Sequence, residues 1–322
     1  MHPNRRQALA ALALSATGAA WAQAAWPTRP VRIVVAYPPG GVSDAVARSL
    51  ADRLGPALGQ SVIVENKAGA SGSIGLDAVA KSTDGHTFGF AAISPVALNP
   101  HLGKSPFDPQ KDLVPVVGVM DSPVLLLATS ATQAKDLREL LAAARAKPGS
   151  IRWATSGPAS LGHLMLEQLK AAAKVDISHI PYKGGGQQIN DALSGQFEVL
   201  SVNAGGAITQ HVKAGKFRVL AVGAPARLDP FPDVPTLAEA GYPAANLSSV
   251  FGLFAPAGTP ATVVEKLNAE VNRALANADV RARLAAGDNV PTGGTAAAFA
   301  RLIAQESANN ARIIKAANIQ VD

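Results

Sequence analysis

The chain has no cysteine among its 322 residues. Disulfides, thiol nucleophiles and thiolate metal sites are excluded, and stability has to come from apolar burial. Charged residues make up only 16% and aromatics 5%, against 48% hydrophobic residues, so a sizeable core can form. Lysine and arginine (29) exceed aspartate and glutamate (23), but they are scattered and form no cluster beside aromatics. That argues against a nucleic-acid partner. His86, His101, His163, His179 and His211 include no i, i+4 pair, so no metal site is expected. Catalytic signatures are missing too. Pro158, not glycine, stands two residues before Ser160, so there is no Gly-x-Ser-x-Gly elbow. No phosphate loop occurs, and Gly69, Gly72 and Gly75 do not have the dinucleotide-binding spacing. No cofactor is expected.

After the first segment no run reaches the ~18 apolar residues of a membrane-spanning helix. The first segment itself reads as an export signal. Arg5-Arg6 gives a basic start, Ala8 to Ala20 is apolar, and Ala22-Gln23-Ala24 has the small-x-small form of a cleavage site near Ala24. The apolar run is too short to stay as an anchor, and both the general and the twin-arginine export routes fit it. Without Arg5 and Arg6, 27 basic residues face 23 acidic ones, a net charge of +4. Such a body is compatible with anionic ligands.

A strand–turn–helix unit recurs along the rest. Val31 to Val35 runs into Pro38-Pro39-Gly40-Gly41, with a helix opening at Ser43-Asp44. Ser61 to Glu65 leads into Ala68-Gly69-Ala70-Ser71-Gly72-Ser73 and a helix over 74–81. Thr87 to Ile93 ends at Ser94-Pro95. Arg152 to Ala154 leads into Ser156-Gly157-Pro158-Ala159-Ser160 and a helix over 161–173. His179 to Tyr182 leads into Lys183-Gly184-Gly185-Gly186 and a helix over 187–193. Phe197 to Val202 leads into Asn203-Ala204-Gly205-Gly206 and a helix through Val212. The alternation predicts an α/β fold with mostly parallel sheets and ligands at the strand C-termini.

Two strands without a following helix, Ser122 to Thr129 and Ser248 to Ala255, read as crossings between two lobes. One lobe comprises 25–123 plus 248–322, the other 124–247. The C-terminal part reads as helices, the first capped by Thr259 with Pro260 at N1, then 278–286 and 296–317.

The turns hold the candidate chemistry. Amides of Gly40 and Gly41 with the Ser43 hydroxyl, at a helix N-terminus, make a seat for a small anion; an ordinary βα turn with Ser43 as N-cap fits the same residues. Ser71 with Gly72, Ser156 with Gly157 and Ser160, and Asn203 repeat that chemistry. Together they describe a polar cleft without fixed charge. Tyr182 offers an aromatic wall. Lys183 is a carboxylate partner or an exposed structural lysine.

In order, Trp26-Pro27-Thr28-Arg29-Pro30-Val31, Pro38-Pro39-Gly40-Gly41-Val42-Ser43-Asp44, Val64-Glu65-Asn66-Lys67-Ala68-Gly69, Asp84-Gly85-His86-Thr87, Pro181-Tyr182-Lys183-Gly184-Gly185, Asp233-Val234-Pro235-Thr236 and Gly252-Leu253-Phe254-Ala255-Pro256 follow one another. This series resembles the Bug-type extracytoplasmic solute receptors of tripartite tricarboxylate transporters, over the whole chain after the signal. The resemblance implies a two-lobed, periplasmic-binding-protein-like (type II) fold that closes around a small organic carboxylate in the periplasm. It implies a monomer that delivers its solute to a membrane permease and is not an enzyme. Ligand positions carried over are Tyr37, Pro39, Gly40, Ser43, Ala70, Ser71, Gly72 and Ser94 in one lobe, and Ser156, Ser160, Tyr182 and Gly185 in the other. There is one departure: Val202-Asn203 stands where the family usually places aspartate and asparagine, which argues against an amino-acid ligand. Two readings from other classes remain: an exported hydrolase or lyase using Ser160 or Ser43 with a histidine, and a ligand sensor docking on a signalling partner.

Overall fold

The computed structural model describes residues 26–103 and 105–317. The export signal and its cleavage site lie outside the described residues. Strand β1 (Val31–Val35) is β-branched at four of five positions and almost wholly buried, as a central parallel strand must be. Helix α1 (Val42–Leu58) follows it and ends at Gly59 in the left-handed conformation. Its buried face carries Val46, Leu50, Leu54 and Leu58 at i, i+4 spacing. Then come β2 (Val62–Asn66), a 3₁₀ turn (Ala70–Gly72), α2 (Ser73–Ala80), β3 (Thr87–Ala92) and the single-turn α3 (Ser94–Ala97).

The 16-residue β4 (Leu113–Ala128) changes partners along its length. Residues 113–123 pair with β9 (Ser248–Pro256), and residues 124–128 pair with β7 (Val199–Asn203) and β8 (Arg218–Gly223). The full strand order is β2-β1-β3-β9-β4-β7-β5-β6, with β5 at Arg152–Thr155, β6 at Ser178–Pro181, and β10 (Val290–Gly293) also beside β4. The expectation of mostly parallel sheets is corrected. Strands β1, β2 and β3, and likewise β5, β6 and β7, are parallel neighbours, but every pair made by β4 or β9 is antiparallel. These two strands are not joined to their neighbours by helical crossovers, and only such crossovers impose parallel pairing.

The second half-sheet carries α4 (Leu137–Ala146), α5 (Leu161–Ala173), α6 (Gly185–Leu193) and α7 (Gly206–Lys213). Helices α8 (Ala261–Ala276), α9 (Ala278–Ala285) and α10 (Ala296–Ala317) return to the first. Each half has its own core. Ile33, Leu50, Phe90, Leu253 and Leu267 belong to one, and Leu126, Trp153, Leu166 and Leu169 to the other. A small cluster of Leu98, Leu164, Ile313 and Ile314 joins them. The start of α8 differs from expectation: Pro260 is the N-cap, and Thr259 instead donates its hydroxyl to the Pro256 carbonyl (2.7 Å).

Candidate functional site

The turn after β1 is held from behind. Asp44, buried in the first turn of α1, accepts from the Gly40 amide (3.0 Å) and pairs with Arg48 one turn on (2.9 Å). Arg48 also reaches Asn66 Oδ1 (3.1 Å), and Asn66 Nδ2 donates to the Tyr37 carbonyl (3.0 Å). Burial alone would raise the Asp44 carboxyl, but the hydrogen bonds from Arg48 and Gly40 outweigh it and hold the group below the usual range. The Gly40 amide is therefore committed to Asp44, which corrects the expectation that it lies bare. The Gly41 amide and the first N–H groups of α1 have no acceptor among the described residues.

A cavity of about 370 Å³ opens between the two half-sheets. Of the expected ligand positions, Tyr37, Gly40, Gly41, Ser43, Ser71, Ser94, Ser156, Ser160, Gly185 and Asn203 line it. Pro39, Ala70, Gly72, Gly157 and Tyr182 do not. Pro39 is exposed at the rim. Ala70 and Gly72 flank Ser71 in the tight 3₁₀ turn, and the space beside Gly72 is filled by Pro95 and the Tyr37 hydroxyl. Gly157 is covered by Ser71. Tyr182 donates its phenol to Asp191 (2.7 Å) and sets its ring against Phe197 (5.8 Å). Burial and that carboxylate push the phenol up to about 12. Aromatic surface comes instead from Phe251 and from Tyr37, whose ring meets Phe251 edge-on at 6.1 Å. Desolvation raises the Tyr37 phenol well above its ordinary value, so it stays neutral.

The first turns of four helices face the cavity: Ser43 in α1, Leu161 and Gly162 in α5, Gly185 in α6, and Gly206 and Ala207 in α7. Among the described residues no aspartate or glutamate lines it. Unpaired N–H groups, hydroxyls and four positive helix ends make an environment that favours an anion, and Arg283, also among the lining residues, corrects the expectation of a cleft without fixed charge. Much of the remaining wall is apolar, with Val42, Val46, Val124, Ile189, Val202 and Ile208.

The half-sheets touch around the cavity. Ser71 Oγ donates to the Pro158 carbonyl. The Asn99 amide accepts from Ser73 Oγ (2.9 Å) and donates to the Ala159 carbonyl (2.7 Å). Pro38 lies over Gly184, and Val42 over Gly205. Asn289 donates to the Ala204 carbonyl (3.4 Å).

The serine–histidine pair required by a hydrolase is not formed. Among the described residues no histidine lines the cavity. Ser160 Oγ caps α5 by accepting from the His163 amide (3.2 Å), while His163 Nδ1 accepts from the Ala159 amide (3.2 Å). The His163 ring stacks on His179 at 4.0 Å, and His179 Nε2 meets Thr155 Oγ1 at 2.7 Å. Burial, then the neighbouring His163, pushes His179 down to about 3. The two neutral rings support the 155–160 turn from behind. Among the described residues no group of three or more potential ligands could hold a metal, and no helix is long and apolar enough to cross a membrane.

Sequence reasoning missed Asn99, Ser201, Ser249, Phe251, Arg283 and Asn289. Ser249 and Phe251 lay in the crossing strand and were open to discovery there; Arg283 and Asn289 had no local signal.

Comparison with known proteins points one way. The family model described as "Tripartite tricarboxylate transporter family receptor" matches residues 46–319. Protein BugT of Bordetella pertussis is 38% identical over 269 residues, covering 83% of this chain and 82% of that one. The structure of Rpa4515 from R. palustris with adipate superposes with a TM-score of 0.86 at 34% identity, covering 92% of this chain and 99% of the other. MatC from Rhodopseudomonas palustris with bound malate gives a TM-score of 0.83 at 32% identity over 90% and 100%. The chain belongs to the tripartite tricarboxylate transporter receptor family, a family of solute-binding receptors and not of enzymes.

Proposed function

We propose that this protein is a periplasmic receptor that closes two lobes around a small organic carboxylate and delivers it, as a monomer, to a membrane permease of the tripartite type. The lobes are residues 25–123 with 248–322 and residues 124–247, with β4 and β9 as the hinge strands. The observation that carries the reading is the cavity: four helix N-termini and a ring of serines converge on it, and among the described residues no carboxylate side chain does. Each charge-assisted hydrogen bond to an anion there is worth roughly 1.5–3 kcal/mol. Binding across both lobes favours the closed form by the differential affinity of the ligand for it. The bound adipate and malate of the two R. palustris proteins support a carboxylate as ligand class.

The test is a thermal-shift and calorimetric screen of the purified protein against mono-, di- and tricarboxylates, amino acids and neutral solutes. A cognate acid at about 100 times its Kd should add about 2.7 kcal/mol to stability. Stabilisation by neutral or cationic solutes with none by any carboxylate would overturn the reading.

A further inference from the structure

Helix α9 is closed by an ill-suited residue. The amides of Asp288 and Asn289 donate to the Ala285 and Leu284 carbonyls, with Asp288 in the left-handed conformation at φ +56. That position favours glycine or asparagine, and the negative end of a helix disfavours a carboxylate. Nothing compensates locally: Oδ2 of Asp288 is buried and accepts no hydrogen bond among the described residues. Asparagine would close the helix without the charge.

The segment belongs to the first half of the molecule and lies against the second. Gly287 leaves no room for a Cβ beside Gly205 and Gly206, and Asn289 donates to the Ala204 carbonyl (3.4 Å). Gly206, Thr209 and Lys213 share one stripe of α7 at i, i+3 and i+7, so the stripe that meets Gly287 ends at a cation. Two charges of the second half act on the Asp288 carboxyl: Asp229, in the loop after β8, and Lys213. Burial and then Asp229 outweigh Lys213 and raise the group above the usual carboxylate range. The other titratable groups of the elements packed here act elsewhere. His211 of α7 sets its ring against Phe217 (5.9 Å), and Arg227 pairs with Glu239 (2.9 Å). Arg281 and Arg283 of α9 and Asp233 of the loop do not act on Asp288. Strand β10 and the 203–206 turn carry no titratable side chain.

We infer that Asp288 is a protonation latch on the seam: its neutral form lets the two halves close, and its ionised form, facing Asp229, holds them apart. The inference rests on the two-lobed closure proposed above. On opening, the carboxyl returns to water and leaves Asp229, so the closed form binds the proton more tightly than the open form. Closure therefore takes up protons and is favoured as pH falls through the carboxylate range. Lys213 offsets part of the repulsion and keeps closure within reach at neutral pH.

The experiment is pulsed electron paramagnetic resonance on the full protein, free of added solute, from pH 8 to pH 4. The chain has no cysteine, so Ala57→Cys and Ala172→Cys, both exposed and one in each half, carry the two spin labels. A like-charge pair with exposed partners acts on the scale of a surface ion pair, so the closed-to-open ratio should rise about two- to fivefold over that range. Asp288→Asn should hold the raised ratio at every pH. Asp229→Asn should reproduce most of that effect, and Lys213→Met should lower the ratio at pH 8 only. A parent protein whose ratio ignores pH, or an Asp288→Asn profile that follows the parent's, overturns the latch. If the label distance then still shortens with the mono-, di- or tricarboxylates of the screen, the receptor reading stands; if it moves with neither pH nor any of these acids, closure itself is refuted. Asp229 is exposed, so its variant tests the latch even where Asp288→Asn does not fold.

Discussion

Gly184 is the sharpest place to test whether the two halves close on each other. It precedes α6 with φ +137, and a Cβ there would lie 2.8 Å from Pro38 Cγ and closer still to Cδ. Gly184→Ala thus introduces two separable penalties. Backbone strain, about 1–3 kcal/mol, is intrinsic to the second half and acts whether the cleft is open or shut. The overlap with Pro38 lies across the seam, and under the proposed closure it is relieved when the cleft opens. Carbon atoms prefer about 3.5–4.0 Å, so the seam has to open by about 1 Å, an overpacking penalty of about 1–3 kcal/mol.

The first penalty appears in the melting temperature, at about 2–4 °C per kcal/mol for a chain of this size class. The second appears in affinity: Kd should rise about five- to a hundred-fold, because only the closed fraction binds tightly. Calorimetry and thermal melting on one sample read both. Pro38→Ala removes the two ring carbons in question, so the double variant should recover most of the affinity relative to Pro38→Ala alone while keeping the lowered Tm. A Tm loss with Kd unchanged within about twofold, or no recovery in the double variant, would refute the seam as a closure contact.

Ser71→Ala removes the hydroxyl that donates to Pro158 across the cleft; affinity should fall about two- to tenfold, from roughly 0.5–1.5 kcal/mol, with little change in Tm. Asp44→Asn should lower stability and flatten its acid dependence. The Asp44 carboxyl titrates below its unfolded value, so its contribution is present above that value and lost as pH falls through the folded one; chemical denaturation as a function of pH reads this. His179 behaves as a buried neutral base. Its folded value of about 3 lies below the ordinary 6.5, so stability is full above 6.5 and declines as pH falls toward 3. The whole shift corresponds to about 5 kcal/mol, and partial exposure screens it to roughly 2. His179→Asn should remove that decline, and an unchanged slope would show that another group carries it.

The helices and parallel strands were legible because their apolar periodicity is local. Helix α5 falls on the expected 161–173, and α10 on 296–317. The first half of β4 was not legible: Pro115, Gly118, Asp121 and Pro123 interrupt its apolar run, and it is a strand because β9 and β10 flank it. The serine turns were legible as a class, since hydroxyls and glycines between a strand and a helix expose amides wherever the chain goes. Which side chain faces the cavity was not. Tyr182 turns to Asp191, nine residues on, and Arg283 comes to the cavity from α9, an element far along the chain from the turn after β1. Both depend on the packing of distant elements, which no local pattern encodes.

The strained backbone of the chain is concentrated at the cleft, and this bears on how closure works. Ala70, Ser71 and Ala159 hold φ of +44, +52 and +54, a region that favours glycine. Two of them form the turn that presents Ser71; the third follows Gly157 and Pro158 in the facing turn. Each left-handed residue costs about 1 kcal/mol or more. That strain persists because rigid neighbours over-determine it: His163 holds the Ala159 amide and Asn99 its carbonyl, while the Gly72 amide is tied back to the Gly69 carbonyl. The conformations that turn hydroxyls and amides toward one point are thus imposed before any solute arrives. A ligand then spends little of its binding energy on ordering loops and can direct it to the seam, where the remaining contacts are single hydrogen bonds and van der Waals approaches. Under the proposed closure, a seam that weak would leave open and closed forms within reach of each other, which is the condition under which a few charge-assisted hydrogen bonds decide between them.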